Sequence, residues 1–97
     1  MKTYELQFLE EALKEWHRLD RTVREQFKKK LRERLEFPRV ESARLHAMTD
    51  CYKIKLLSLG YRLVYQVEDS VITVTVIAVG KRERGAAYEA ALARLKR

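Results

Sequence analysis

Three cations on two adjacent stretches of the chain have the types and spacing of an anion-binding site. Lys53 and Lys55 are separated by one residue in CYKIKL, and Arg62 follows in YRLVYQV. Alternate residues of a β-strand share a face, so a hairpin of these two stretches would bring all three cations together. Like charges facing each other across strands destabilise a sheet. The pattern therefore predicts a bound anion, although a solvated strand face is the alternative for the two lysines.

Further cations and aromatic residues surround this stretch or follow it. Cations that pair with phosphates, interleaved with rings on which bases can stack, are typical of RNA-binding surfaces. The residues are Lys81, Arg82 and Arg84, with Tyr61, Tyr65 and Tyr88 among them. For Tyr61 and Tyr65 we favour packing in the sheet or core over base stacking.

The usual catalytic and cofactor motifs are missing from the sequence, and we expect no cofactor and no metal. The two histidines, His17 and His46, have no second ligand at metal spacing and are interpreted as surface or half-buried residues. RNA, however, carries its own nucleophile, the 2′-hydroxyl. Lysines and arginines can stabilise the charge of a pentacovalent phosphorane, and a lysine or tyrosine among cations has a lowered pKa suited to a base. A ribonuclease without histidine or metal is therefore chemically coherent.

Composition and charge agree with a polyanionic partner. The 97 residues carry a net charge of +7 and predict a single domain, 1–97. Of that charge, +2 lies in residues 1–50 and +5 in residues 51–97, with the predicted strands and the C-terminus. The single cysteine, Cys51, excludes an internal disulfide framework. With no signal peptide and no stretch long enough to cross a membrane, we expect a cytoplasmic protein.

The elements that must position these residues can be predicted from periodicity. Residues 3–8 alternate as a strand, and apolar residues at helical spacing predict a helix over 10–19. Thr22 and Glu25 have the form of a capping box that begins a second helix. The Phe37-Pro38 pair ends that helix, because the residue before proline avoids helical geometry.

Three strands follow at 51–57, 61–67 and 71–79, joined by turns at 58–60 and 68–70 that make them antiparallel. The last is apolar at nearly every position, which indicates a central strand. A helix is predicted from residue 86 to the C-terminus, and Leu45 and Met48 are expected to anchor segment 38–50 to the core. The fold class is α+β, a small antiparallel sheet in the order β-α-α-β-β-β-α. A helical hairpin covers one face and leaves the other free for a ligand.

The outer face of the second predicted helix is strongly basic. It could contact RNA, or it could be a solvated helix face, and the sequence favours neither. Its cations are Lys28, Lys29, Lys30, Arg32 and Arg34.

Several segments together resemble the RelE toxins of bacterial toxin–antitoxin pairs. The specific ones are CYKIKLxSxGYRLVYQV and VGKRER with a later tyrosine, while ALKEW, TVREQFKKKL and LxxMxDCYKIKL add weaker support. The resemblance covers nearly the whole chain. It implies a small antiparallel sheet with helices and an endoribonuclease that cuts messenger RNA in the ribosomal A site and so inhibits translation. The Ala-rich C-terminal segment departs from the family pattern.

The resemblance also implies the catalytic residues. Lys53 and Arg62 would hold phosphates and stabilise the transition state, and Arg82 would stabilise the leaving oxygen or act as the acid. Either Lys55 or Tyr88 would be the base, and Tyr88 could instead stack on a nucleotide.

The partners implied by the resemblance are a RelB-type antitoxin, the ribosome and mRNA, with operator DNA bound only through the antitoxin complex and no membrane. The antitoxin would neutralise the site or displace the helix that carries Tyr88. Two alternatives stay open: a gyrase-poisoning toxin like ParE, and an RNA-binding module without catalysis.

Overall fold

The computed structural model describes residues 3–83 and 85–97, and its elements follow the predicted order. Four strands and three helices are joined by two short 3-10 turns, Glu41–Ala43 and Asp69–Val71. Among the described residues, no helix has the length and apolar character needed to cross a membrane. The main elements are β1 (Glu5–Phe8), α1 (Glu10–His17), α2 (Arg21–Glu36), β2 (Cys51–Leu56), β3 (Tyr61–Glu68), β4 (Thr73–Lys81) and α3 (Ala86–Leu95).

The four strands form one sheet in the order β1-β4-β3-β2. The antiparallel pairing of β2 with β3 and of β3 with β4, and the central place of β4, confirm the predictions. The sheet is mixed rather than wholly antiparallel, because β1 runs parallel to β4. Both helices of the hairpin lie between these two strands in the chain, and a connection of that length imposes no antiparallel turn.

The helices α1 and α2 pack on one face of the sheet, as the sequence predicts. Phe27 is fully buried there, and the Trp16 ring lies 5.3 Å from the ring of Phe8 and 6.2 Å from that of Phe27. The hydroxyl of buried Tyr65 donates to the carbonyl of Pro38, which confirms core packing for this tyrosine.

The opposite face is not free, contrary to the expectation. Helix α3 packs on it with fully buried Ala91 against Val64 and Ala78. Small side chains on the helix let its backbone approach the sheet closely, a consequence of the Ala-rich sequence. Leu45 and Met48 join this second core, as predicted.

The start of α2 differs from the predicted capping box. Its N-cap is Asp20, with no side-chain cap hydrogen bond, and Thr22 is already inside the helix. Glu25 instead forms a salt bridge with Lys28 at 3.2 Å. The end of α2 at Phe37, next to Pro38, agrees with the prediction.

Along the second half of β4, side chains supply the hydrogen bonds that a neighbouring strand would otherwise make. The strand β1 ends opposite Val76, so the next backbone groups of β4 on that edge need other partners. Glu15 of α1 accepts a hydrogen bond from the Val79 N–H at 3.2 Å, and Arg94 of α3 donates to the Ile77 carbonyl at 2.8 Å. Arg94 also pairs with both carboxylate oxygens of Glu15, at 2.8 and 2.9 Å. This ion pair closes the sheet edge and ties α3 to α1.

Candidate functional site

The register of the β2–β3 hairpin brings the predicted cations together. Lys55 lies directly opposite Arg62, and Lys53 lies opposite Val64 on the same face. The intervening residue Ile54 is buried on the opposite face, against the helical hairpin. Alternation along the strand therefore fixes all three cations on the face that α3 only partly covers.

No acid offsets the charge of this cluster in the described part of the chain. Lys53, Lys55 and Arg62 form no salt bridge there, whereas Arg39 and Arg94 do. Repulsion from Lys53, followed by partial desolvation and the charge of Arg62, lowers the pKa of the Lys55 ammonium. The lowered pKa predicted for a lysine among cations is thus confirmed for Lys55.

Tyr88, in the first turn of α3, lies over Arg62. The guanidinium carbon of Arg62 is 4.9 Å from the centre of the Tyr88 ring, a cation–π contact. Within residues 3–83 and 85–97, neither the buried Nε of Arg62 nor the buried hydroxyl of Tyr88 has a hydrogen-bond partner. Buried polar groups normally have partners, so both atoms lack a hydrogen bond that such groups usually make.

The pKa of Tyr88 is raised, not lowered. Burial of the phenol disfavours its anion by more than the positive charge of Arg62 favours it. The expectation of a lowered pKa is therefore wrong for this residue, because α3 places its ring against the sheet.

The cations at and after the end of β4 do not all reach the same face. Arg82 is exposed directly after the strand, and its backbone N–H donates to the Gly60 carbonyl at 2.8 Å, which ties it to the β2–β3 turn. Lys81 lies opposite Tyr61 in the sheet, so the two side chains share a face. The Tyr61 ring packs toward the helical hairpin, so Lys81 extends from the face opposite to that of Lys53, Lys55 and Arg62. Arg84 lies outside the described residues.

The basic residues of α2 are also divided among different surroundings. Lys28 and Arg32 border an apolar cleft with Trp16, while Lys30 and Lys55 both line a separate groove. Lys29 is exposed. The placement of Arg34 on the outer face is wrong, because its half-buried guanidinium donates to the Lys53 carbonyl at 3.1 Å and to the Tyr65 hydroxyl at 2.8 Å.

Two arginines that sequence reasoning did not assign to the site hold its supporting strand. Arg34 fixes the backbone at Lys53. Arg39 forms salt bridges with Asp50 and Asp69, at 3.0 and 2.9 Å, and anchors the segment leading into β2. Their partners are distant in the chain, so no local pattern could have identified them.

The assembled group is suited to bind and stabilise a phosphate. Lys53, Lys55 and Arg62 present uncompensated positive charge on a rigid sheet, and fixed charges of this kind stabilise charge that develops in a transition state. Of the three, Lys55 has the lowered pKa, and in its neutral form it can accept a proton while Lys53 and Arg62 supply the positive charge. The group thus has the parts needed for attack on a phosphodiester: a base and a cationic clamp.

Comparisons with known proteins find relatives over nearly the whole chain. Residues 6–85 match the family described as ParE toxin of type II toxin–antitoxin system, parDE. The chain is 61% identical to the mRNA interferase toxin RelE of Escherichia coli K12 over 92 residues, 95% of this chain and 97% of that protein.

Two solved structures extend the comparison to the fold. A mutant of E. coli RelE in the free state has a TM-score of 0.89 and 57% identity, covering 97% of this chain and 99% of that chain. RelE in the intact E. coli RelBE toxin–antitoxin complex has a TM-score of 0.81 and 64% identity, covering 84% and 99%.

Proposed function

This chain belongs to the RelE family of type II toxins, and on that premise we propose that it is an endoribonuclease that cleaves mRNA in the ribosomal A site and so stops translation. The observation that carries the proposal is the uncompensated cluster of Lys53, Lys55 and Arg62, with the Tyr88 ring against Arg62. The relative named an mRNA interferase, at 61% identity, supports the same activity.

The proposed reaction begins with the 2′-hydroxyl of the RNA. Neutral Lys55 takes the proton from this hydroxyl, whose oxygen attacks the adjacent phosphorus. The lowered pKa of Lys55 supports this role, and the raised pKa of Tyr88 argues against the tyrosine as base. Tyr88 instead orients or stacks on the nucleotide, as its position over Arg62 favours.

The remaining cations act on charge. Lys53 and Arg62 stabilise the phosphorane, and Arg82 stabilises the leaving 5′-oxygen as the bond from phosphorus to that oxygen breaks. An arginine keeps its protons in proteins, so we assign the proton on the leaving oxygen to solvent. The products are a 2′,3′-cyclic phosphate and a 5′-hydroxyl, with no metal in the reaction.

The proposed partners follow from the relatives. RelE has been solved in an intact complex with the antitoxin RelB, and we assign a RelB-type antitoxin to this chain as well. The ribosome would present the message, operator DNA would be bound only through the antitoxin complex, and the site of action would be the cytoplasm.

Cleavage on programmed ribosomes tests the function and its site. We expect Arg82→Ala to slow cleavage by about 10²-fold or more, the scale of losing one group that stabilises transition-state charge. We expect Tyr88→Ala to slow it by a similar factor, about 10²-fold, because the nucleotide is no longer held in the reactive geometry. Lys14→Ala, an exposed lysine of α1, is the matched control. Wild-type rates in both site variants would refute the assigned residues.

Product chemistry and ribosome dependence test the mechanism. The upstream fragment should carry a 2′,3′-cyclic phosphate, and naked RNA should be cut poorly without ribosomes. A 3′-hydroxyl product would exclude attack by the 2′-hydroxyl. Equal rates with and without ribosomes would exclude the proposed dependence.

The match to ParE toxins supports a second candidate, inhibition of gyrase. That activity predicts intact mRNA and accumulating gyrase-linked DNA breaks in cells that express the chain. A third possibility, an RNA-binding module without catalysis, predicts salt-dependent RNA binding with no cleaved product.

A further inference from the structure

A groove beside the catalytic face connects β2 with α2. It lies between the helix and the β2–β3 hairpin and has a volume of about 480 Å³, within the range of about 300–1,000 Å³ found for ligand sites. Its lining residues are Thr22, Gln26 and Lys30 on the helix, and Lys55, Leu56, Leu57, Ser58 and Leu59 on the hairpin.

The helical side of the groove is a polar stripe. Thr22, Gln26 and Lys30 are spaced four residues apart, which places them on one face of α2. The hydroxyl and amide can bond to phosphate, ribose or base, and Lys30 adds positive charge. None of the described lining residues is acidic, so the groove is complementary to an anion.

The hairpin side adds apolar surface. Leu57 is 70% exposed and Leu59 is 38% exposed, next to the hydroxyl of Ser58. An exposed leucine beside cations offers a surface for the flat face of a base, whereas a simple phosphate site would have no use for it. Polar, cationic and apolar groups together fit a nucleotide.

Lys55 connects the groove to the catalytic cluster. It lines the groove and also lies opposite Arg62 in the sheet. An RNA strand whose reacting nucleotide lies at Lys55 therefore has a continuous path over the edge strand β2 toward α2. The α2 cations Lys28 and Arg32 border a different, apolar cleft and lie off this path.

We propose that this groove binds a nucleotide of the cleaved RNA strand next to the scissile phosphate, with Lys30 on its backbone. The proposal rests on the proposed RNA-cleaving function and adds a substrate subsite to it. The groove extends the site beyond the residues that act on the reacting phosphate.

The test measures binding of RNA in which 2′-O-methyl groups prevent cleavage. Fluorescent oligonucleotides of two to eight nucleotides are titrated with the full chain at several salt concentrations, and anisotropy is recorded. Affinity should rise with length until the groove is filled. The affinity of Lys30→Ala should not rise further with the length of the longer oligonucleotides, although this variant should bind the dinucleotide like wild type.

The size of the loss follows from counter-ion release. One lost phosphate contact lowers the salt slope for single strands by about 0.7, which corresponds to about five-fold weaker binding at 0.1 M salt relative to 1 M. Ser58→Glu should cause a loss of the same order, and Lys14→Ala should cause none.

Two results would overturn the subsite. One is that Lys30→Ala weakens short and long oligonucleotides equally, and the other is that Lys29→Ala weakens long ones as much. The second would make α2 a uniform basic surface. If Lys30→Ala weakened only an acidic peptide and not RNA, the occupant would be a protein partner, and the proposal would be wrong.

Ribosome cleavage separates this failure from failure of the function. If Arg82→Ala abolishes cleavage while Lys30→Ala binds every oligonucleotide like wild type, the nuclease stands and the subsite falls. If wild type cleaves nothing on ribosomes and binds no RNA, the proposed function falls together with the subsite.

Discussion

The ion pair between Glu15 and Arg94 should contribute more to stability than the ion pair between Glu11 and Arg97, which also joins α1 to the C-terminal end of the chain. Glu15→Ala removes the two hydrogen bonds from Arg94 and the one from the Val79 N–H. It also leaves the Arg94 guanidinium, whose side chain is only 15% exposed, without its acid.

The magnitude can be bounded from the burial of the pair. Exposed ion pairs contribute about 0–1 kcal/mol, whereas removing one partner of a fully buried pair costs about 3–5 kcal/mol. Glu15 is 27% exposed, so the pair lies between these limits and we expect a loss of about 2–3 kcal/mol. For a domain of this size that lowers the Tm by about 10–20 °C.

Urea titration followed by circular dichroism and by the fluorescence of Trp16 measures this loss. The matched control is Glu11→Ala, because Glu11 pairs with Arg97 in a more exposed position, with side chains 38% and 60% exposed. We expect that variant to lose much less stability, because exposed ion pairs are screened by solvent and contribute little. Equal losses in Glu15→Ala and Glu11→Ala would refute the reasoning that burial and closure of the β4 edge make the inner pair stronger.

Three further predictions concern single buried or catalytic groups. Burial raises the pKa of the Cys51 thiol from 9.0 to about 11. The neutral buried thiol contributes its full share to the free energy of unfolding below pH 9, and this contribution is lost as the pH rises to 11. The free energy of unfolding of the wild type should therefore fall by about 2–3 kcal/mol more than that of Cys51→Ala over this range. An equal pH dependence would contradict this. If Lys55 is the base, the cleavage rate should rise with pH and level off below lysine's usual pKa, and Lys55→Arg should lose that rise. A rise that survives in Lys55→Arg and disappears in Tyr88→Phe would point to the tyrosine instead. Tyr65→Phe should lower the free energy of unfolding by about 1–3 kcal/mol, since the Pro38 carbonyl loses its donor. An unchanged urea midpoint would argue against that hydrogen bond.

Local pattern was sufficient for the strands and for part of the site. The alternation in CYKIKL and YRLVYQV predicts two neighbouring strands with a shared cationic face, and the structure has Lys55 opposite Arg62 on that face. A strand has a side-chain period of two residues, so the face of each residue can be read directly from its position.

Local pattern failed where neighbouring residues offered an alternative to the predicted contact or backbone geometry. Thr22 and Glu25 have the form of a capping box, yet α2 begins at Arg21 and Glu25 pairs with Lys28. Strand β4 was expected from residue 71 but begins at Thr73, because Ile72 adopts left-handed backbone geometry after the 3-10 turn.

The sequence by itself determined the α+β class, the order of the elements and the cationic face of the β2–β3 hairpin, because these depend on neighbours in the chain. Only the tertiary structure decided that β1 joins β4 in parallel and that α3 covers part of the face expected to be free. It also placed Tyr88 over Arg62 and set the two pKa directions that favour Lys55 over Tyr88 as base. Burial and Coulomb interactions depend on distances through space, and the spacing of residues along the chain does not fix those distances.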